Sequence, residues 1–349
     1  MEKSCTILFF TFSYDQRPAH LPTEWLNMLI CKSFIFKFAL TLIVSGCCAR
    51  TFLPEQCGVR PLEYLSGRIV GGHEAWFGQV PWQTLIVMSR IFGLIKYPTC
   101  GGVLIGDRWI LTAAHCNPGW LGTMQVILGT NDNFNPTNGR SIVRRVKEIH
   151  VHPNFNRFRF ENDIALIELR TRVRYSKNVQ PICLPYPKED FTGKYALVSG
   201  WGHTQFGNLQ FIFLDEYLIT KPFYFNLGTH KLPKKLQVVE VPILERDFCH
   251  ALYAKAGFQR TFPLTTLCAG YPEGKKDSCT GDSGGPLMIQ REDNTWVLAG
   301  IVSNGIRCAE PNLPGIYTKI TPYINWIQQT TSLDFLYFKQ SHVPLSVNY

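Results

Sequence analysis

The chain has 349 residues, 45% of them apolar and only 17% charged. That is enough for one large domain or two small ones with a sizeable core, and it excludes an intrinsically disordered protein. The formal net charge is +9, yet the basic residues are scattered apart from Arg140, Arg144, Arg145 and Lys147, which read either as a site for a polyanion such as a sulfated glycan or as a solvated basic face. No nucleic-acid-binding module, zinc-ligand spacing, internal repeat or low-complexity tract is present. Twelve cysteines point to an oxidising compartment. Cys5, Cys31, Cys47 and Cys48 lie near the N-terminus. The other eight fall between Cys57 and Cys308, an even set that suits four disulfides, with free thiols or metal ligands as the other reading.

Residues 1–49 read as a targeting segment. The apolar run Phe38–Val44 follows Lys32 and Lys37 and leads into small residues ending at Cys47-Cys48-Ala49, the pattern of a signal peptide cleaved near Ala49. The run is short of the ~20 residues a membrane span needs; a retained signal anchor is the alternative. Residues 1–27 are unusual before such a signal, and Met28 is the more ordinary start. From Arg68 to about residue 330 short apolar runs recur between Gly, Pro and Asn, and the pattern is all-β, a barrel or a sandwich. The expected strands are Trp82–Met88, Gly102–Ile105, Trp109–Thr112, Met124–Leu128, Ile164–Leu169, Ala196–Ser199, Gln237–Ile243, Trp296–Val302 and Gly315–Lys319. Tyr323–Ile327 has helical spacing and reads as a closing helix. Residues 331–349 form a tail without an assignable role. Asn208–Thr229, with its many Phe and Tyr, interrupts a turn region without a clean period. It is either a substrate-facing loop or an error of the gene model, and the second reading is preferred.

Three segments carry chemistry. Asp277–Pro286 places Ser283 between Asp282 and two glycines, in a turn that can expose one hydroxyl and aim backbone N–H groups at a neighbouring oxygen. Thr112-Ala113-Ala114-His115-Cys116 supplies a histidine just after a strand. Asn162-Asp163-Ile164-Ala165-Leu166 supplies an aspartate entering an apolar run, where it must find a donor. Taken singly, each has an ordinary structural reading: a tight turn, a capped helix, a turn carboxylate. Their order, His115, Asp163, Ser283, is the one found in chymotrypsin. With Arg68-Ile69-Val70-Gly71-Gly72, Gly200-Trp201-Gly202 and Gly281–Pro286, these phrases make the chain resemble the chymotrypsin family of trypsin-like serine proteases from Ile69 to about Thr330.

The resemblance implies two six-stranded antiparallel β-barrels with a C-terminal helix. It divides the chain into a 50–68 pro-segment and a 69–330 peptidase domain. It implies that His115 is the general base, Asp163 its orienting carboxylate and Ser283 the nucleophile, with Gly281 and Ser283 N–H groups forming the oxyanion hole. Arg68-Ile69 matches an activation site, whose freed α-amino group would pair with Asp282. Asp277 matches the floor of the primary pocket, favouring Arg or Lys at the cleavage point; Gly305 and Gly315 match its walls, and Ser303 the serine that supports the aspartate. The implied disulfides are Cys57 with Cys183, Cys100 with Cys116, Cys249 with Cys268 and Cys279 with Cys308. The first would leave the active form as two linked chains.

Departures from the family pattern are informative. Ala196 and Ile289 stand where a further bridge is often found. Asn304 replaces a tryptophan beside the substrate backbone, which should weaken apolar contacts upstream of the cleavage point. Arg307, near the pocket rim, should favour acidic substrate residues. The loop after Gly129 has Thr130 and no glutamate until Glu148, so no calcium site is expected, nor any other metal or cofactor. No Asn-X-Ser/Thr acceptor with X other than Pro occurs. Cys57–Leu62, Phe77-Gly78, Asp277–Cys279 and Val302–Cys308 resemble the protease domains of arthropod Stubble-type serine proteases, many of them membrane-anchored through a stem. Only a short stretch separates Ala49 from Cys57, which favours a secreted protein over a type II membrane-anchored one. The implied partners are protein substrates, an activating trypsin-like protease and serpin-type or Kunitz-type inhibitors, with no nucleic acid and a monomeric state. A non-catalytic protease homologue acting as a binding or adhesion module is the competing reading, though such proteins usually lose a member of the His115, Asp163, Ser283 set.

Overall fold

A computed structural model describes residues 57–62, 72–90, 95–119, 122–133, 135, 141–202, 233–274, 281–306 and 308–333. The chain divides into residues 1–52 and 53–349, and every described residue belongs to the second unit. The targeting segment, Arg68, Ile69, the Asn208–Thr229 segment, Asp277, Cys279 and Arg307 lie outside the described residues.

Six strands close a first antiparallel barrel. They are β2 (Gln83–Arg90), β3 (Ile95–Leu104), β4 (Trp109–Thr112), β5 (Thr123–Leu128), β6 (Ile142–Val151) and β7 (Ala165–Leu169), in the order β2-β3-β4-β7-β6-β5. A second set comprises β8 (Tyr195–Gly200), β9 (Gln237–Leu244), β10 (Thr266–Ala269), β11 (Pro286–Gln290), β12 (Trp296–Asn304) and β13 (Gly315–Lys319). These run in the order β9-β10-β13-β12-β11-β8, and pairing of β8 with β9 closes the circle. The short β1 (His73–Glu74) adds to β9. The fold is therefore all-β, as the pattern of short apolar runs indicates, and is the pair of six-stranded barrels that the resemblance implies, with helix α1 (Arg246–Lys255) between β9 and β10 and helix α2 (Ile324–Thr331) near the end of the described chain.

Ile86, Leu104, Ile110, Leu111, Leu128, Leu166 and Ile167 pack in the first barrel, and Val198, Val241, Leu287, Val297, Ala299 and Tyr317 in the second. Trp82 joins the first barrel's cluster to the second, with its indole N–H 3.1 Å from Met288 Sδ and its ring against Trp296. Ala196 and Ile289 pack together in that second core, so an apolar pair occupies the place of the missing bridge. β4 is buried along its whole length, and β12 is buried up to Asn304. Both therefore read as continuous apolar runs rather than alternating ones.

β1, β6, β10, β11 and α1 have no counterpart among the elements expected from the sequence. β6 carries Arg144, Arg145, Lys147 and Glu148, and its polar composition hides it; pairing to β5 and β7 nevertheless holds it in the barrel. Lys147 Nζ donates to both Glu168 oxygens at 2.9 and 3.0 Å, and Arg144 donates to the carbonyls of Arg172 and Val143. This part of the basic cluster is thus tied to its own barrel wall. α1 buries Cys249, Leu252 and Tyr253, an i, i+3, i+4 stripe. β3 begins at Ile95 rather than Gly102 because β2 runs to Arg90 and pairs with it there. Its Pro98, which has no N–H to give, sits beside a register shift in that hairpin.

Ile110 is fully buried between β3 and β7, whereas the Lys147 side chain is half exposed. Ile110→Ala should therefore cost roughly 2–5 kcal/mol, read as a lower urea midpoint, and Lys147→Ala less than about 1 kcal/mol. Equal effects would show that the β3-β4-β7 wall is not the packed centre of the barrel.

Candidate active site

The His115 turn is built by β4 and a bridge. β4 ends at Thr112, whose Oγ1 donates to Gly101 O at 2.9 Å. A single 3₁₀ turn, Ala114–Cys116, then lifts His115 off the barrel, and the Cys100–Cys116 disulfide ties that turn back to β3. Asp163 enters from the opposite direction. Phe160 and Asn162 adopt left-handed backbone with φ of 54° and 53°, so the chain bends sharply just before β7. Tyr323 Oη donates to Asn162 Oδ1 at 2.9 Å, and burial pushes that phenol up to about 12, with a Thr265 hydrogen bond opposing and the Asp163 charge adding to the shift. The phenol is thus a neutral donor at ordinary pH.

Asp163 is completely buried, and every bond it receives is a donation. His115 N–H reaches Oδ1 at 2.9 Å and His115 Nδ1 lies 2.8 Å from Oδ2. Ser303 Oγ donates to the same Oδ2 at 2.5 Å, and Thr318 Oγ1 donates to the Asp163 carbonyl at 2.9 Å. A carboxylate so placed fixes the imidazole with its proton on Nδ1, which leaves Nε2 as the acceptor. The Phe160 ring meets the imidazole edge-on, with centroids 5.6 Å apart.

Ser283 lies in a close weave of backbone. Its carbonyl accepts from Gly101 N–H at 2.8 Å, and Cys116 Sγ is 3.8 Å from the same oxygen, which brings Ser283 beside the His115 turn. Gly284 N–H donates to Val302 O, and Gly285 N–H to Asp282 O. Gly281 and Gly284 have φ of +106° and +80°, values that glycine alone adopts easily. Asp282 is buried and accepts Gly202 N–H at 2.7 Å. A Cβ at Gly200 or Gly202 would overlap the Asp282 carboxylate. This gives the Gly200-Trp201-Gly202 phrase a physical reason: it leaves room for that side chain.

The structure therefore brings His115, Asp163, Ser303 and Ser283 to one place, with Gly281 and Asp282 flanking the serine. Gly315 starts β13 opposite Ala269, and Gly305 is exposed just beyond β12. Asp277, the expected pocket floor, lies outside the described residues, as do Arg68 and Ile69. The bridges Cys57–Cys183, Cys100–Cys116 and Cys249–Cys268 form as the resemblance implied. Cys308 is disulfide-bonded, and Cys279 lies outside the described residues. Two contributors were missed in the sequence. Phe160 follows a loop with no apolar pattern, and Arg260, which donates to Asn304 Oδ1 at 2.7 Å, sits 44 positions away from its partner.

A methyl group at Gly284 would overlap Thr112 Oγ1 and the Gly101 carbonyl while φ is +80°. Gly284→Ala should cost at least about 2 kcal/mol in urea unfolding. A wild-type midpoint would mean that the 283–285 segment does not need this backbone.

The trypsin family profile matches residues 69–214 and 223–327, leaving 215–222 unmatched. Serine protease filzig of Drosophila melanogaster is 42% identical over 279 residues, covering 80% of this chain and 15% of that protein. Serine proteinase stubble of the same species is 38% identical over 279 residues, covering 78% and 32%. Proclotting enzyme of Tachypleus tridentatus is 33% identical over 293 residues, covering 79% and 69%. The chain thus spans only a small part of the two insect proteins it matches. With the family profile covering more than half of its length and both barrels in place, the chain belongs to the trypsin family of serine proteases.

Proposed function

We propose that the chain is the zymogen of a secreted trypsin-like serine endopeptidase, activated by cleavage after Arg68 and hydrolysing protein substrates after Arg or Lys. The observation that carries this reading is the His115–Asp163 pair, joined by two hydrogen bonds around a fully buried carboxylate beside the Ser283 turn. In the proposed reaction His115 Nε2 takes the Ser283 hydroxyl proton as Oγ attacks the scissile carbonyl. It later gives that proton to the leaving amine, and Asp163 stabilises the imidazolium in between. Backbone N–H groups of Gly281 and Ser283 receive the oxyanion; loss of one such donor typically costs ~3 kcal/mol of barrier. Water then enters and hydrolyses the acyl-Ser283 ester by the same proton path in reverse.

In this reading residues 1–49 are the targeting segment, 50–68 the pro-segment and 69–330 the peptidase. The freed Ile69 amino group pairs with Asp282, whose place beside Gly200 and Gly202 is already cleared of side chains. Asp277 serves as the pocket floor and Gly305 and Gly315 as its walls, a pocket that selects a guanidinium or ammonium. An activating trypsin-like protease and serpin-type or Kunitz-type inhibitors are the partners this chemistry implies, and the reaction draws on no cofactor. No described helix is long and apolar enough to cross a membrane.

Full chain cut at Arg68 should be labelled at Ser283 by an arginine-like organophosphonate, and Ser283→Ala should take no label. An unlabelled wild-type protein would favour the binding-module reading instead. Ile69→Gly should leave peptidase activity low after the same cut; full activity would dissolve the proposed pairing with Asp282. On a peptide library the cut enzyme should prefer Arg or Lys, and faster cleavage after Phe or Leu would remove Asp277 from the pocket floor.

A further inference from the structure

β12 is irregular at its end. Val302 pairs with Tyr317 and Asn304 with Ile316, so Ser303 is an extra residue, a bulge that turns its hydroxyl to Asp163. Asn304 Nδ2 donates to Ser303 Oγ at 3.1 Å, and Arg260, on the loop between α1 and β10, donates through Nη2 to Asn304 Oδ1 at 2.7 Å. A chain of hydrogen bonds thus runs from a half-buried cation to the buried carboxylate. Phe262 lies beneath the guanidinium, 5.9 Å from centroid to Cζ, and burial pulls that group's pKa down.

The direction of this chain follows from donor counting. A guanidinium only donates, so the Asn304 oxygen must face Arg260 and its NH₂ must face Ser303. Ser303 Oγ then accepts from Asn304, and its single hydrogen is left for Asp163, which only accepts. With no cation at the far end, the Asn304 amide is free to turn over. Its oxygen would then compete with Asp163 for that one hydrogen, and a donor that holds the carboxylate in place would be lost.

We propose that Arg260 is a positioning residue for the His115–Asp163 pair, acting by fixing the direction of the hydrogen bonds that reach Asp163 through Asn304 and Ser303. This rests on the protease reading above. Arg260 acts through two side chains, Asn304 and Ser303, and not on a reacting atom. The feature belongs to this chain, since it depends on Asn304 standing where the family pattern has a tryptophan.

The test uses the full chain cut at Arg68 and a single-residue arginine amide, which has nothing upstream to touch Arg260 directly. Arg260→Met keeps the apolar stem and should lower kcat about fivefold to tenfold with KM little changed. Arg260→Lys, also a pure donor, should recover most of the loss, and Arg260→Gln should not. Asn304→Leu should match Arg260→Met, and the double variant should be no worse than either, because one chain is broken once. The proton between His115 Nδ1 and Asp163 should change its low-field ¹H resonance in Arg260→Met and regain it in Arg260→Lys, a readout that needs no turnover. If Arg260→Met does not fold, the Lys and Gln variants carry the same comparison. Unchanged kcat and resonance, effects that multiply in the double variant, or losses seen only with longer peptides would overturn the proposal. A wild-type protein that neither labels at Ser283 nor turns over would instead sink the protease reading, and the resonance would still report on the chain.

Discussion

The structure turns on one buried negative charge. Asp163 has no access to water, and an isolated carboxylate in such a place is costly unless its oxygens are fully served. Its donors come from three parts of the chain: His115 gives a backbone and a ring N–H from the turn after β4, Ser303 gives a hydroxyl from the end of β12, and Thr318 on β13 supports the backbone of Asp163 itself. Asp163 and His115 belong to the first barrel, Ser303 and Thr318 to the second. The charge therefore stitches the barrels together at the same point where it orients the imidazole. Removing a donor would leave the charge unserved and loosen the junction as well as the site.

Around Ser283 the constraint is steric. Gly101, Gly284 and Gly285 let the serine turn lie flat against β3 and β12, and Gly200 and Gly202 leave space for Asp282. The hydrogen bonds of Gly101, Gly284 and Gly285 are backbone to backbone, whereas Gly200 and Gly202 close on the Asp282 side chain. The steric constraint explains the glycines at 200, 202, 284 and 285, where a Cβ would stand in an occupied position. The positive φ at Gly284 adds a second reason at one of these positions.

Legibility in the sequence followed the same division. His115, Asp163 and Ser283 each stand in a contiguous phrase, but a single phrase has an ordinary structural reading; it is their order along the chain that points to chemistry, and Asp282 is singled out by the resemblance alone. Strands with buried faces on both sides, β4 and β12, were readable as apolar runs. β6 was not, since Arg145, Lys147 and Glu148 on it are exposed and its membership of the barrel comes from pairing with β5 and β7. α1 was overlooked because its stripe of Cys249, Leu252 and Tyr253 was read only for the cysteine. The link from Arg260 to Asn304 had no sequence signature, because the two meet only through the packing of a loop against a bulged strand end. Asn304 looked like a loss of apolar surface; in the fold it is a polar connector.

The segment before the proposed cleavage point has more than a disulfide holding it. Cys57 is bridged to Cys183, but Gly58 also donates to Pro181 O at 2.8 Å and accepts from Trp296 N–H at 2.9 Å, at a φ of +68° where a side chain would collide with the Trp296 carbonyl. Arg60 then lays its guanidinium over the Trp296 ring at 3.5 Å, a cation–π contact of a kind worth about 0.5–2 kcal/mol. The first residue of β12 thus receives the segment and the last presents Asn304 and Ser303 to the site. In the proposed two-chain form Cys57, Gly58 and Arg60 would keep the retained peptide docked against the start of β12 rather than on a loose leash. The bridge lowers the entropy cost of docking there, and the Gly58 and Arg60 contacts set where the segment lies.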